Sequence, residues 1–255
     1  SKKPSGEGMS GGLTLGNYGL KEGRFIADYR LGGNIFTKVV IHRKTRDGFV
    51  KNVPGPYGPF DGVVPNNLNP ATAELDTIDS KGFKFNIYYA GDQTTVDFAI
   101  DWTDQDNTPP HPQLGNIMAG WSTAFGVGAS PLTGGLLLWP AEKHPRLGLD
   151  KTTSLDKDML ETSVVEGTAL TITHETGLGE VKLILAKRKL DWDDQLDMDG
   201  TPYPIFHTER HTSYKSKTIE LQLTGSNDFM SYVAGYYQFN DDAYTFNPQR
   251  IFGGG

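Results

Sequence analysis

The chain has 255 residues, with 24 Lys+Arg against 31 Asp+Glu and no cysteine. This acidic balance argues against a nucleic-acid binder, which would present a basic face. Thirty-one glycines and an aromatic content of 11% suit an all-β protein with many tight turns, and no run approaches the roughly 18 apolar residues that a membrane helix needs.

In chain order, the repeat of apolar residues has a period of two, which is the pattern of a strand with unlike faces. A first strand is predicted at residues 9–16. In the second, Phe25, Ala27, Tyr29 and Leu31 alternate with Arg24, Ile26, Asp28 and Arg30. After a turn at 32–34, Ile35, Thr37, Val39 and Ile41 alternate with Lys38, His42 and Lys44. The clearest pair follows. Phe83, Phe85, Ile87 and Tyr89 alternate with Lys84, Asn86 and Tyr88, and across the turn at 90–93, Val96, Phe98, Ile100 and Trp102 alternate with Asp97, Ala99 and Asp101. Val181, Leu183 and Leu185 follow a turn at 176–179. Ile219, Leu221 and Leu223 alternate with Glu220 and Gln222, and a turn at 225–228 leads into residues 229–244. About nine strands result.

The connections alternate in length. Short turns sit at 32–34, 90–93, 176–179 and 225–228, and long loops are predicted near 46–80, 105–164 and 193–214. Short turns at one end and long loops at the other is the asymmetry of outer-membrane barrels. The fold class is therefore all-β, an antiparallel up-and-down meander forming part of a transmembrane β-barrel of about nine strands. Phe83, Phe85, Ile87, Val96, Phe98, Ile100 and Trp102 would face lipid. Lys84, Asn86, Asp97 and Asp101 would face the lumen, where water or a plug would satisfy them. A soluble sandwich or lipocalin-like barrel also alternates, although it rarely places such charges on an inward face.

Several residues carry a resemblance. Lys2-Lys3-Pro4-Ser5-Gly6-Glu7 resembles the junction between plug and barrel in TonB-dependent outer-membrane receptors. Leu15-Gly16-Asn17-Tyr18-Gly19 resembles their first strand and its short outer loop. Tyr29-Arg30-Leu31 and the stretch 43–52, with Arg46-Asp47-Gly48-Phe49-Val50-Lys51-Asn52, look like their second and third strands. Ile219-Glu220-Leu221-Gln222-Leu223-Thr224-Gly225 resembles a recurrent strand of the family, and Tyr232-Val233-Ala234-Gly235-Tyr236-Tyr237 the strand after it. The resemblance implies a barrel of about 22 strands with a plugged lumen, of which residues 1–255 would be the N-terminal portion, without plug or TonB box. With Ser1-Lys2-Lys3-Pro4 at one end and Phe252-Gly253-Gly254-Gly255 at the other, the sequence is expected to be a fragment.

The resemblance also implies a location in the Gram-negative outer membrane and energy-coupled uptake of a bulky nutrient such as an iron–siderophore. Its expected partners are outer-membrane lipid, TonB acting through the plug, and a small-molecule ligand such as a metal chelate. The alternatives are a passive porin and a soluble ligand-binding β-domain. No enzyme and no cofactor are expected.

Three local clusters need weighing. Asp191, Asp193, Asp194, Asp197 and Asp199, before Gly200, loosely echo a calcium loop. The closing bidentate Glu is missing, however: Phe206 stands twelfth counting from Gln195. A solvated acidic loop is the preferred reading. His207 and His211 would suit zinc only on a helix, and Pro202 and Pro204 point to a loop, so no metal site is expected. Trp121, Phe125 and Trp139 could stack on a ligand or pack their loop on itself. Trp102, Tyr89 and Tyr18 read as interfacial aromatics.

Overall fold

The computed structural model describes residues 3–52, 72–110, 151–153, 155, 157–198 and 206–251. Its strands are β1 (Gly8–Leu15), β2 (Lys21–Gly32), β3 (Ile35–Arg46), β4 (Val50–Asn52), β5 (Glu74–Leu75), β6 (Ile78–Ala90), β7 (Thr94–Asn107), β8 (Thr152–Thr153), β9 (Leu160–Thr176), β10 (Gly179–Asp197), β11 (Phe206–Ser226), β12 (Ser231–Phe246) and β13 (Gln249–Ile251). No described residue is helical.

The main sheet is an antiparallel meander in the order β1-β2-β3-β6-β7-β9-β10-β11-β12, with β13 pairing back onto β11. Nine consecutive neighbours bear out the all-β meander of about nine strands. β4, β5 and β8 form a separate three-stranded sheet. β1 and β12 end the order, and among the described residues no register joins them.

Each end of the main sheet is tied together. At the short-turn end the Ala90 amide donates to the Asn34 carbonyl (2.8 Å), the Glu175 amide donates to Gln93 (2.8 Å), and the Tyr232 hydroxyl donates to the Leu178 carbonyl. At the other end the Asp47 amide donates to Tyr18 (2.8 Å), and the Lys51 amide to Lys151 (2.9 Å). The long connections at 46–80 and 105–164 are therefore not structureless. They supply β4, β5 and β8, and Val50 of β4 and Leu75 of β5 join Leu155 and Met159, from between β8 and β9, in a small buried cluster beside Phe49 and Leu196.

The third predicted loop is corrected. Residues 193–197 belong to β10 and 206–214 to β11, paired from Asp193↔His211 out to Asp197↔His207. The five aspartates concealed the strand, because their charges break the apolar alternation that marks one. Polar pairs across the strands replace it: Asp194 forms an ion pair with Arg210 at 2.6 Å, and the Asp193 carboxylate lies 2.7 Å from the His211 ring nitrogen Nδ1. The acidic run is thus part of a ladder, with Asp199 outside the described residues. His207 and His211 share one strand face at a spacing of four residues, about 13 Å along a strand, too far to share a metal ion. Tyr18 lies in the β1–β2 turn with φ 58°, its ring 5.8 Å from that of Phe49.

Candidate functional site

The register brings the predicted faces together. Phe83 lies opposite Trp102, Phe85 opposite Ile100, Ile87 opposite Phe98 and Tyr89 opposite Val96. Directly opposed residues point to the same side of a sheet, so all seven predicted residues share one face. On β3 the same face carries Ile41, Val39, Thr37 and Ile35. Beyond β7 it continues through Ile172 and Leu170 to Leu183 and Leu185, and on to Leu221 and Ile219. No second layer covers it among the described residues. Phe83 is 39% exposed and Ile41 51%. Trp102 and Tyr89 mark its two ends on the β6–β7 pair.

The apolar band does not run straight across the strands. Its upper edge is at Leu15 on β1, opposite Lys21 of β2. It then follows the row Phe25–Ile41–Phe83–Trp102. Further on it drops to Leu170–Leu185–Ile219, a row that meets β2 at Tyr29. Between β1 and β11 the edge therefore slides from the level of Lys21 to that of Tyr29. At ~3.4 Å per residue and ~4.8 Å per strand, the band crosses the strands ~40° away from the perpendicular.

The opposite face is polar and internally paired. Asp28 (2% exposed) accepts hydrogen bonds from the Ser5 amide (2.9 Å), the Gly6 amide (2.8 Å) and the Ser5 hydroxyl (3.2 Å), and pairs with Lys38 at 3.1 Å. Residues 3–7 therefore run along this face, with the Lys3 ammonium 4.8 Å from the Tyr88 ring centre. Gly6 has φ +76°, and a Cβ there would stand 3.5 Å from Arg30 and Phe36. Asn86 is 6% exposed, with its amide donating to Asp97 and to the Phe98 carbonyl. Its side-chain amide nitrogen is thus satisfied within the sheet. Arg188 reaches Asp101 at 3.4 Å.

At the long-connection end of the polar face, the Arg210 guanidinium lies 4.1 Å from the Trp192 ring centre while it holds Asp194. Arg210 Nε and Asp194 Oδ1 are buried without a hydrogen-bond partner among the described residues. The cluster of Val50, Leu75, Leu155 and Met159 packs on Leu196 of the same face. The Lys157 ammonium pairs with Glu209 and holds its carboxyl below the ordinary glutamate value. Sequence reasoning missed the Trp192–Arg210–Asp194 group because it placed Asp194 and Arg210 in a loop. The available signal was the i, i+2 spacing of Trp192 and Asp194. Trp121, Phe125 and Trp139 lie outside the described residues.

No protein-family model matches the chain, and no curated protein does. Solved structures do. The ferric yersiniabactin uptake receptor FyuA from Yersinia pestis superposes with a TM-score of 0.66 at 12% identity, over 98% of this chain and 33% of that one. A chain of the FpvAI–pyocin S2 complex gives a TM-score of 0.57 at 12% identity, over 97% of this chain and 29% of its own. The siderophore receptor PiuA from Acinetobacter baumannii gives 0.57 at 14% identity, over 94% and 31%. The chain thus spans about a third of the length of the structures it resembles, and its antiparallel meander is similar in fold to part of theirs.

Proposed function

We propose that the chain is the N-terminal portion of the β-barrel of a TonB-dependent outer-membrane receptor, which imports a bulky nutrient such as a metal chelate. The observation that carries this reading is the uncovered apolar band and its slope. An apolar face this continuous is expensive in water and marks contact with another apolar phase. If the band lies level in a bilayer, its slope tilts the strands by ~40° from the membrane normal, inside the 35–45° range of transmembrane barrels. A spanning strand needs only about 9–11 residues. The longer β10 and β11 continue beyond the band on the long-connection side, as strands running out of the membrane would.

The polar face then lines the lumen. Docking of residues 3–7 on that face supports this, since a plug joined before β1 would enter from there. The Trp192–Arg210–Asp194 group and the small cluster over the strand ends stand at the mouth, where a ligand would first be met. Energy would come from TonB acting on the plug. A soluble binding domain is disfavoured because its apolar face should be covered. A passive porin is disfavoured by the likeness to uptake receptors.

The test is expression of the full-length protein in cells with and without TonB, under iron limitation, with ferric siderophores offered one at a time. Fractionation into the outer membrane together with TonB-dependent accumulation of one chelate is the expected result. A soluble fraction would refute the membrane reading, and uptake indifferent to TonB would leave the porin.

A further inference from the structure

We propose a second site, on the apolar face, that holds the phosphate-bearing headgroup of a membrane lipid. This rests on the reading of that face as lipid-facing. Lys187 lies directly opposite Lys217, and Lys189 directly opposite Lys215. Like charges so placed repel and destabilise a sheet, so two adjacent rows of lysine pairs call for an anion. The upper row has its own: Lys189 pairs with Asp191 at 2.6 Å and faces Glu166, and Lys215 faces Asp242. The lower row does not. Lys187 is flanked by Thr168 and Lys217 by Asn240. Among the described residues, neither ammonium has a carboxylate within ion-pairing distance.

The lower row sits at the edge of the apolar band, one step from Leu185 and Ile219. Two cavities meet there. An open cleft of about 560 Å³ is lined by Thr168, Lys187, Lys217 and Asn240 along with the upper row. A groove of about 250 Å³ shares Thr168, Lys187 and Lys217 and is walled by Leu170, Leu185 and Ile219. A polar cleft stacked on an apolar groove has the shape of an amphiphile. Two ammonium groups would hold the phosphate as point charges, with the Thr168 hydroxyl and Asn240 amide as further donors. An acyl chain would follow the groove toward the short turns. The carboxylates of the upper row repel the headgroup from above and keep it on the lower one. Basic side chains at headgroup level attract anionic lipid in just this way. A free anion would leave the groove unused, which favours a lipid.

The experiment uses the full-length protein in phosphatidylcholine nanodiscs containing a minor share of labelled phosphatidylglycerol, with K187Q/K217Q compared against K21Q/K51Q, which makes the same charge change elsewhere. Enrichment of phosphatidylglycerol around the wild type and the control is expected, with about a thirtyfold loss in K187Q/K217Q, the scale of removing two lysine charges from a membrane surface. Thermal stability gives a second readout with a change of sign. K187Q/K217Q should melt above the wild type in pure phosphatidylcholine, where repulsion is removed, and below it when phosphatidylglycerol is present. Equal enrichment in both variants, or a melting shift of the same sign in both lipids, would overturn the proposal. So would displacement of the label by inorganic phosphate, which would indicate a free-anion site. Failure of the wild type to enter the nanodisc would instead count against the membrane reading itself.

Discussion

Arg188 of β10 reaches across β9 to Asp101 of β7, and it does so over Gly167, the residue directly opposite both. A Cβ on Gly167 would stand 2.6 Å from the Asp101 carboxylate and 2.9 Å from the Arg188 guanidinium. The glycine therefore makes room for a contact between strands that are not neighbours.

We expect Gly167→Val to separate this pair. Both partners are partly exposed, so their coupling should be modest, about 0.2–1 kcal/mol. A double-mutant cycle on Asp101→Ala and Arg188→Ala in the full-length protein measures it, and repeating the cycle on Gly167→Val should return no coupling. Unchanged coupling would mean that the arginine reaches Asp101 by another route.

The two faces should respond oppositely to charge. Phe98→Arg, near the middle of the apolar band, is expected to cost about 2–4 kcal/mol in the full-length protein folded into lipid. Gln222→Arg, on the polar face, should cost far less. Denaturant titration in liposomes decides between them, and a larger loss at Gln222 would reverse the assignment of faces.

The two ends should lie on opposite sides of the membrane. An epitope inserted at Asn17, in the β1–β2 turn, should be labelled on intact cells. One inserted at Asp92, in the β6–β7 turn, should be reached only after the outer membrane is opened. Labelling of the Asp92 epitope on sealed cells would refute the topology.

Acid should loosen the mouth. Lys157 holds the Glu209 carboxyl below its usual value, so the folded state binds a proton less readily than the unfolded one. The stability from this pair is fully present above the unfolded glutamate value and is lost as pH falls through the depressed folded value. Hydrogen exchange at residues 157–160, followed from neutrality down through the carboxylate range, should rise as Glu209 is protonated. In Glu209→Gln it should be fast at every pH in that range. An identical acid response in Glu209→Gln would assign the effect to another group.

The sequence by itself determined that the strands have two unlike faces. Alternation is a property of each strand alone: Phe83, Phe85 and Ile87 must share a side whatever they pair with. It also determined which turns are short, since the links at 90–93 and 176–179 are too brief for anything but a hairpin. Only the tertiary structure decided how those faces line up. Register is set between strands far apart in the chain, and the slope of the band from Leu15 to Ile219 exists only once the rows are joined. The same holds for Asp28, whose partners Ser5 and Gly6 come from before β1. It holds for β10 and β11 beyond Asp191, where charge pairs such as Asp194–Arg210 do the work that apolar alternation does elsewhere. A charge conveys its role only with its partner opposite, and that partner is brought there by the fold.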